Sequence, residues 1–228
     1  MKNPLGQPIS HPVDWQGASK PPRTVLKGQY CRIEPLEMAH TDDLFAATQL
    51  DPDGRNWTYL FDGPITNLAD FSTWVKAKSE SADPFFQAII SAETGKAVGY
   101  ASYMRIDPVM GCIEVGNIHL SPALQRTRAA TEAMYLLMKQ VFALGYRRYE
   151  WKCDSLNAPS RAAALRLGFS FEGIFRQALV YKGRNRDTAW FSVVDSEWPI
   201  LEQAFNAWLS PENFTESGGQ VGKLQSFR

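Results

Sequence analysis

Residues 120–134 read LSPALQRTRAATEAM: a Ser-Pro turn, two arginines, then a run of small side chains. The first turn of an α-helix leaves backbone N–H groups without intrahelical partners, and the helix dipole adds partial positive charge there. An anion on that end satisfies both, provided no bulky side chain blocks its approach. Ala129 and Ala130 keep the approach open, while Arg126 and Arg128 can donate charge-assisted hydrogen bonds to phosphate oxygens. The same residues are also compatible with solvated arginines and with alanines that let a helix pack close to a sheet.

The helix itself is marked by Ala130, Met134, Leu137 and Val141 at helical spacing, supported by Ala133, Met138 and Phe142, and it stops at Gly145. Outward from it, strand and helix patterns alternate. Towards the N-terminus, 25–36 reads as a strand, 37–49 and 67–80 as helices, 85–106 as two strands around a Glu-Thr-Gly turn, and 111–120 as a further strand. Towards the C-terminus come the strand RRYEWKC, a short helix APSRAAALRLG ending at Gly168, two strands across 169–195 around the turn KGRNRD, and an amphipathic helix near 197–208. This order predicts a mixed α/β domain with a central sheet. Residues 1–22 carry five of the fourteen prolines and predict an arm, 23–209 the folded domain, and 210–228 a polar tail.

Twenty-four Lys and Arg balance twenty-four Asp and Glu, so no global field recruits nucleic acid or a membrane surface, and an anionic ligand must be held locally. Three cysteines without CxxC spacing and three histidines argue against a disulfide framework or a metal cluster. With no apolar leader or spanning segment in the pattern, a cytoplasmic setting is expected.

LSPALQRTRAATEA, followed by RYEWKCD, LNAPSRAAALRLGF and SFEGIFRQ, resembles the GNAT (Gcn5-related N-acetyltransferase) superfamily, and within it the RimJ/RimL-like subgroup. The family's pyrophosphate-binding pattern, Gln/Arg-x-x-Gly-x-Gly/Ala, falls on Gln125, Arg126, Thr127, Arg128, Ala129 and Ala130, with Arg128 standing where the family has Gly. The more specific downstream motif is matched by Asn157, Ser160, Leu167, Gly168, Phe169, Glu172, Gly173 and Arg176. The resemblance implies a central, mostly antiparallel sheet of six to seven strands flanked by helices. It also implies an acyl-CoA donor, most often acetyl-CoA, an amine acceptor, direct transfer in a ternary complex, and no metal.

In the family the donor's pantetheine arm enters a gap between the fourth and fifth strands, here CIEVGNIHL and RRYEWKC. The implied donor contacts are Ile118, His119 and Leu120, the segment 125–130, and Asn157 with Ser160. Gly116 and Asn117 sit awkwardly mid-strand and suit a bulge that splays the two strands. Glu114 lies eleven residues before Gln125, matching the glutamate base of the histone-acetylating members; the alternative is a strand carboxylate paired with a neighbouring cation. Strict alternation puts His119 on the opposite face from Glu114, and a bulge reverses that parity. His119 is the second base candidate, or a packing residue. Ser160 aligns with the subgroup's serine near the coenzyme sulfur and suits hydrogen bonding to the leaving thiolate, or capping of a helix 160–167.

Two familiar acids are replaced: Ala164 stands where other members carry a tyrosine, and Leu179 where RimL-like enzymes carry a glutamate. Acceptor recognition is expected from the loop DGRNWTYLFDGPI, with Arg55, Trp57, Tyr59 and Phe61 as contacts or as core filler. Trp151 and Cys153 read as sheet packing. The competing functions are a CoA-binding module without turnover and a transferase of a larger acyl group such as succinyl. The resemblance also allows a homodimer.

Overall fold

The computed structural model describes all 228 residues. An eight-stranded sheet runs β1 (Leu26–Lys27), β2 (Cys31–Pro35), β3 (Phe85–Ser91), β4 (Ala97–Asp107), β5 (Cys112–Leu120), β6 (Arg148–Asp154), β8 (Arg184–Val194) and β7 (Ser170–Tyr181) in spatial order. Every neighbouring pair is antiparallel except β5 with β6. The eighth strand arises because the stretch 25–36 breaks into β1 and β2 around Gly28–Tyr30. Five helices flank the sheet: α1 (Thr41–Thr48), α2 (Leu68–Ser79), α3 (Arg128–Ala143), α4 (Ala158–Leu167) and α5 (Trp198–Leu209). The expected helix 37–49 divides into a single 3-10 turn at Met38–His40 and α1. No helix is long and apolar enough to cross a membrane.

The two sheet faces are unequal. Under α3, α4 and α5 lies the larger core, where Ile89, Tyr103, Val115, Tyr149 and Phe191 from the strands meet Leu137, Val141 and Phe205 from the helices. On the other face α1 and α2 cover only the first strands, with Leu44, Phe71 and Val75 against Phe86 and Tyr100. The β5–β8 part of that face is left without a helix and carries charge. Arg105 pairs with Glu114, Lys152 bridges Glu114 at 2.9 Å and Glu150 at 2.6 Å, and Arg148 joins Glu150 at 2.6 Å to Glu172 at 2.5 Å.

The termini are built in. Trp15 Nε1 donates to the Gly145 carbonyl at 3.1 Å, and the Ala18 and Ser19 amides donate to Pro108 and Leu144, so the proline-rich arm wraps the end of α3. The polar segment 210–228 folds back onto α5: Asn213 Nδ2 donates to the Trp208 carbonyl at 2.9 Å, and Leu224 is buried in the larger core.

Candidate active site

The site is made by a divergence of two strands. β5 and β6 pair in register only from Cys112 with Arg148 to Val115 with Trp151. Beyond that level β5 stays with β4, through Tyr100 opposite His119 and Gly99 opposite Leu120, whereas Lys152, Cys153 and Asp154 of β6 pair with β8. The bulge expected at Gly116 and Asn117 is present: Ser102 opposes Gly116 and Tyr100 opposes His119, so three steps on β5 face two on β4. Asn117 adopts φ 50° and is held by its Nδ2 donating to Ser102 Oγ at 2.9 Å. The extra residue puts His119 on the same face as Glu114, the parity that the bulge requires.

At one end of the divergence stands the α3 N-terminus. Thr127 is its N-cap and accepts from the Ala130 amide at 3.1 Å. The amides of Arg126, Arg128 and Ala129 find no partner within the protein. Arg126 adopts φ 61°, which turns the backbone into the helix. These free N–H groups open onto a cleft of about 1320 Å³, lined by Leu120, Leu124, Arg126, Arg128, Ala129 and Trp151 among others. That is roomier than the ~300–1,000 Å³ of ordinary small-molecule pockets and suits a long ligand with an anionic middle. Arg128 lies across the Tyr30 ring at 4.3 Å and the Phe214 ring at 5.5 Å, and all three residues line the cleft. Gln125 instead ties the loop 53–65 down, donating from Nε2 to Asn56 Oδ1 at 2.8 Å and the Leu120 carbonyl at 2.9 Å.

Across the gap, α4 starts at Ala158, where the helix APSRAAALRLG was expected, and not at the 160 of the capping alternative. Asn157 is the N-cap, accepting from the Ser160 amide at 3.1 Å, so Ser160 is not the cap. Ser160 Oγ accepts from Trp151 Nε1 at 3.0 Å, which occupies one of its two lone pairs and leaves its O–H as a hydrogen-bond donor.

On the opposite face Glu114 is 3% exposed and engaged by both Arg105 and Lys152. His119 is 1% exposed, stacked on Tyr100 at 5.1 Å and against Trp57 at 4.8 Å, with Nε2 buried and unpartnered. Burial holds its imidazole down at about 4, so the ring is neutral near pH 7. The loop 53–65 roofs this end. Lys182 Nζ donates to the Trp57 carbonyl at 2.6 Å, Tyr59 Oη to the Leu156 carbonyl at 3.3 Å, and Phe61 meets Tyr181 edge-on at 5.8 Å. Trp57, Tyr59 and Phe61 thus converge on the site, whereas Arg55 points outward to Asp53 on the surface.

Several residues here were not legible in advance. Asp154 accepts from Tyr181 Oη at 2.7 Å and from the Leu156 amide at 2.8 Å. Arg186, only 7% exposed, sits 5.6 Å from both the Phe61 and Tyr181 rings, forms no ion pair, and has a buried Nε without a partner. Burying part of such a charge without a counter-ion is unfavourable, and contact with an aromatic ring returns only about 0.5–2 kcal/mol. Tyr30, Phe214 and Arg166 join the cleft at the α3 N-terminus from three distant segments. The strand WKCD carried a signal: Lys152 and Asp154 alternate with Trp151 and Cys153, a period-2 pattern that puts two charges on one face.

Residues 31–170 match the acetyltransferase (GNAT) domain family. The chain belongs to the GNAT family. A GCN5-related N-acetyltransferase from Brucella melitensis is 52% identical over 94% of this chain and 98% of that one, with a TM-score of 0.92. A probable GNAT-family acetyltransferase from Chromobacterium violaceum is 40% identical over 87% of this chain and 100% of its own, with a TM-score of 0.78. At 17% identity the RimL ribosomal L7/L12 α-N-protein acetyltransferase shares the fold, with a TM-score of 0.65 over 76% of this chain and 99% of that one. A search of curated proteins finds no match. The sheet, the splayed strands and the α3 N-terminus are therefore those of a GNAT acetyltransferase.

Proposed function

We propose that this GNAT protein transfers an acetyl group from acetyl-CoA to a primary amine on a small molecule or a peptide N-terminus, by direct attack in a ternary complex. The observation that carries the reading is the free amides of Arg126, Arg128 and Ala129 at the mouth of the β5–β6 gap. Three unpartnered N–H groups at the start of α3 suit a pyrophosphate, and RimL, which shares the fold, was solved in complex with coenzyme A. The gap gives a thioester arm a route through the sheet to the face where the acceptor loop lies.

Ser160, whose Oγ accepts from Trp151 Nε1, donates a hydrogen bond to the departing thiolate. As the N–C bond forms, the nitrogen's proton becomes strongly acidic, so a weak base in a dry site suffices. The unpartnered Nε2 of His119 is our choice for that acceptor. Glu114, already spent on Arg105 and Lys152, anchors the charged face beside the gap, in the pairing that the sequence left as its alternative role.

Thermal-shift titration with acetyl-CoA, coenzyme A and dephospho-coenzyme A tests the donor, because saturation at about 100 times Kd adds roughly 2.7 kcal/mol of stability. A rise in Tm followed by thiol release on adding amines is expected, and no rise at millimolar ligand overturns the reading. In the thiol-release assay Ser160→Ala and His119→Gln should lower kcat about 10²-fold or more, while Glu114→Gln acts mainly on stability.

A further inference from the structure

Five charged residues other than histidine are buried: Glu114, Glu132, Glu150, Asp154 and Arg186. The four carboxylates are all answered. Glu114 and Glu150 share Lys152, Glu132 accepts from the amides of Gln29, Tyr30 and Cys31, and Asp154 accepts from Tyr181 and the Leu156 amide. Arg186 alone has neither a counter-ion nor a hydrogen bond. It lies two residues along β8 from Thr188, whose Oγ1 is likewise buried and unpartnered and which pairs with Asp154 on the last rung of β6. Arg186 is therefore on the same face as Asp154, two residues past the end of the β6–β8 pairing, and about 7–8 Å away diagonally. The loop bearing Phe61 and the hairpin bearing Tyr181 close over it.

We propose that Arg186 is the recognition site for a carboxylate on the acceptor, so that the acceptor class is amines carrying a monoanionic carboxyl group. This rests on the acyl-transfer reading for the word acceptor, but the anion site itself does not. A guanidinium presents two parallel N–H donors that match a planar carboxylate. A single buried positive charge balances a monoanion, and the Asp154 carboxylate on the neighbouring strand disfavours a dianion such as a phosphate ester. The same carboxylate is placed to attract the acceptor's ammonium, so a zwitterion meets opposite charges at the two ends of one short stretch of sheet. The aromatic rings of Phe61 and Tyr181 hold the guanidinium plane and exclude water from the pair.

The test follows the side-chain Nε–H resonance of Arg186 in 15N-labelled full-length protein, assigned with Arg186→Lys, during titration with sodium formate. Sodium chloride at matched ionic strength, formamide and sodium sulfate are the controls. A saturable shift with formate, absent with formamide and at least tenfold weaker with sulfate, is the expected result. No saturable shift, or equal shifts with all additives, overturns the proposal. In the thiol-release assay, amino acids and dipeptides should then exceed their C-terminal amides at least tenfold in kcat/KM, and Arg186→Gln should erase that difference without changing the acetyl-CoA thermal shift. Equal use of acid and amide overturns the acceptor assignment. A formate response in a protein that acetylates no amine leaves the anion site standing and overturns the acyl-transfer reading instead.

Discussion

His119 lies where a histidine is hard to charge. Packed between Tyr100 and Trp57, it titrates at about 4 because burial penalises the imidazolium, against about 6.5 in an unfolded chain. Between those values the unfolded chain holds a proton that the folded chain does not, so stability falls as pH drops from about 6.5 to about 4 and is flat in this respect above 7. The expected loss is about 3 kcal/mol across that window, and His119→Phe should remove it; urea melts at several pH values measure both. Single side chains were also where sequence reading was least complete. The glutamate and the serine were found from motif spacing, but their partners come from other strands. Nothing local to Glu114 announces Lys152, thirty-eight residues on, and Arg186 was hidden in a segment that read only as a polar turn.

At the scale of elements, the strand with an unfavourable-looking Gly116-Asn117 pair did reveal its bulge, because those residue types tolerate the backbone that a bulge demands. The break between β1 and β2 was not visible, since its cause is on α3. Glu132 accepts from the amides of Gln29, Tyr30 and Cys31 at 2.8, 2.6 and 2.8 Å, a cage that folds the β1–β2 turn around one carboxylate. Gly28 is required there, because a Cβ would lie 2.4 Å from the Glu132 carboxylate. Glu132→Gln replaces one acceptor oxygen by a donor facing those amides and should cost about 3 kcal/mol in chemical denaturation. Because the turn carries Tyr30, against which Arg128 rests, the same substitution should weaken coenzyme binding, read by calorimetry.

At the scale of the whole molecule, the alternation of strand and helix patterns and the two motifs made the architecture readable, since period and caps are local properties. The roles of the two ends were not readable, since a polar segment's docking depends on what it meets. Residues 210–228 looked like a tail, yet Phe214 and the neighbouring glycines reach the cleft at the α3 N-terminus and Asn213 locks them to α5. Removing 210–228 exposes Trp208 and takes one ring from Arg128. We expect a Tm lower by several degrees and coenzyme affinity weaker by about tenfold, close to 1.4 kcal/mol, with the β-sheet signature in circular dichroism retained.

The cleft draws its walls from residues as far apart as Tyr30 and Gln220. While a ribosome still holds the segment around residue 220, the cleft lacks one of its walls. On the proposed reading, a nascent chain would have to survive proteases on its own packing, and protection by ligand binding would begin only after synthesis has passed that point.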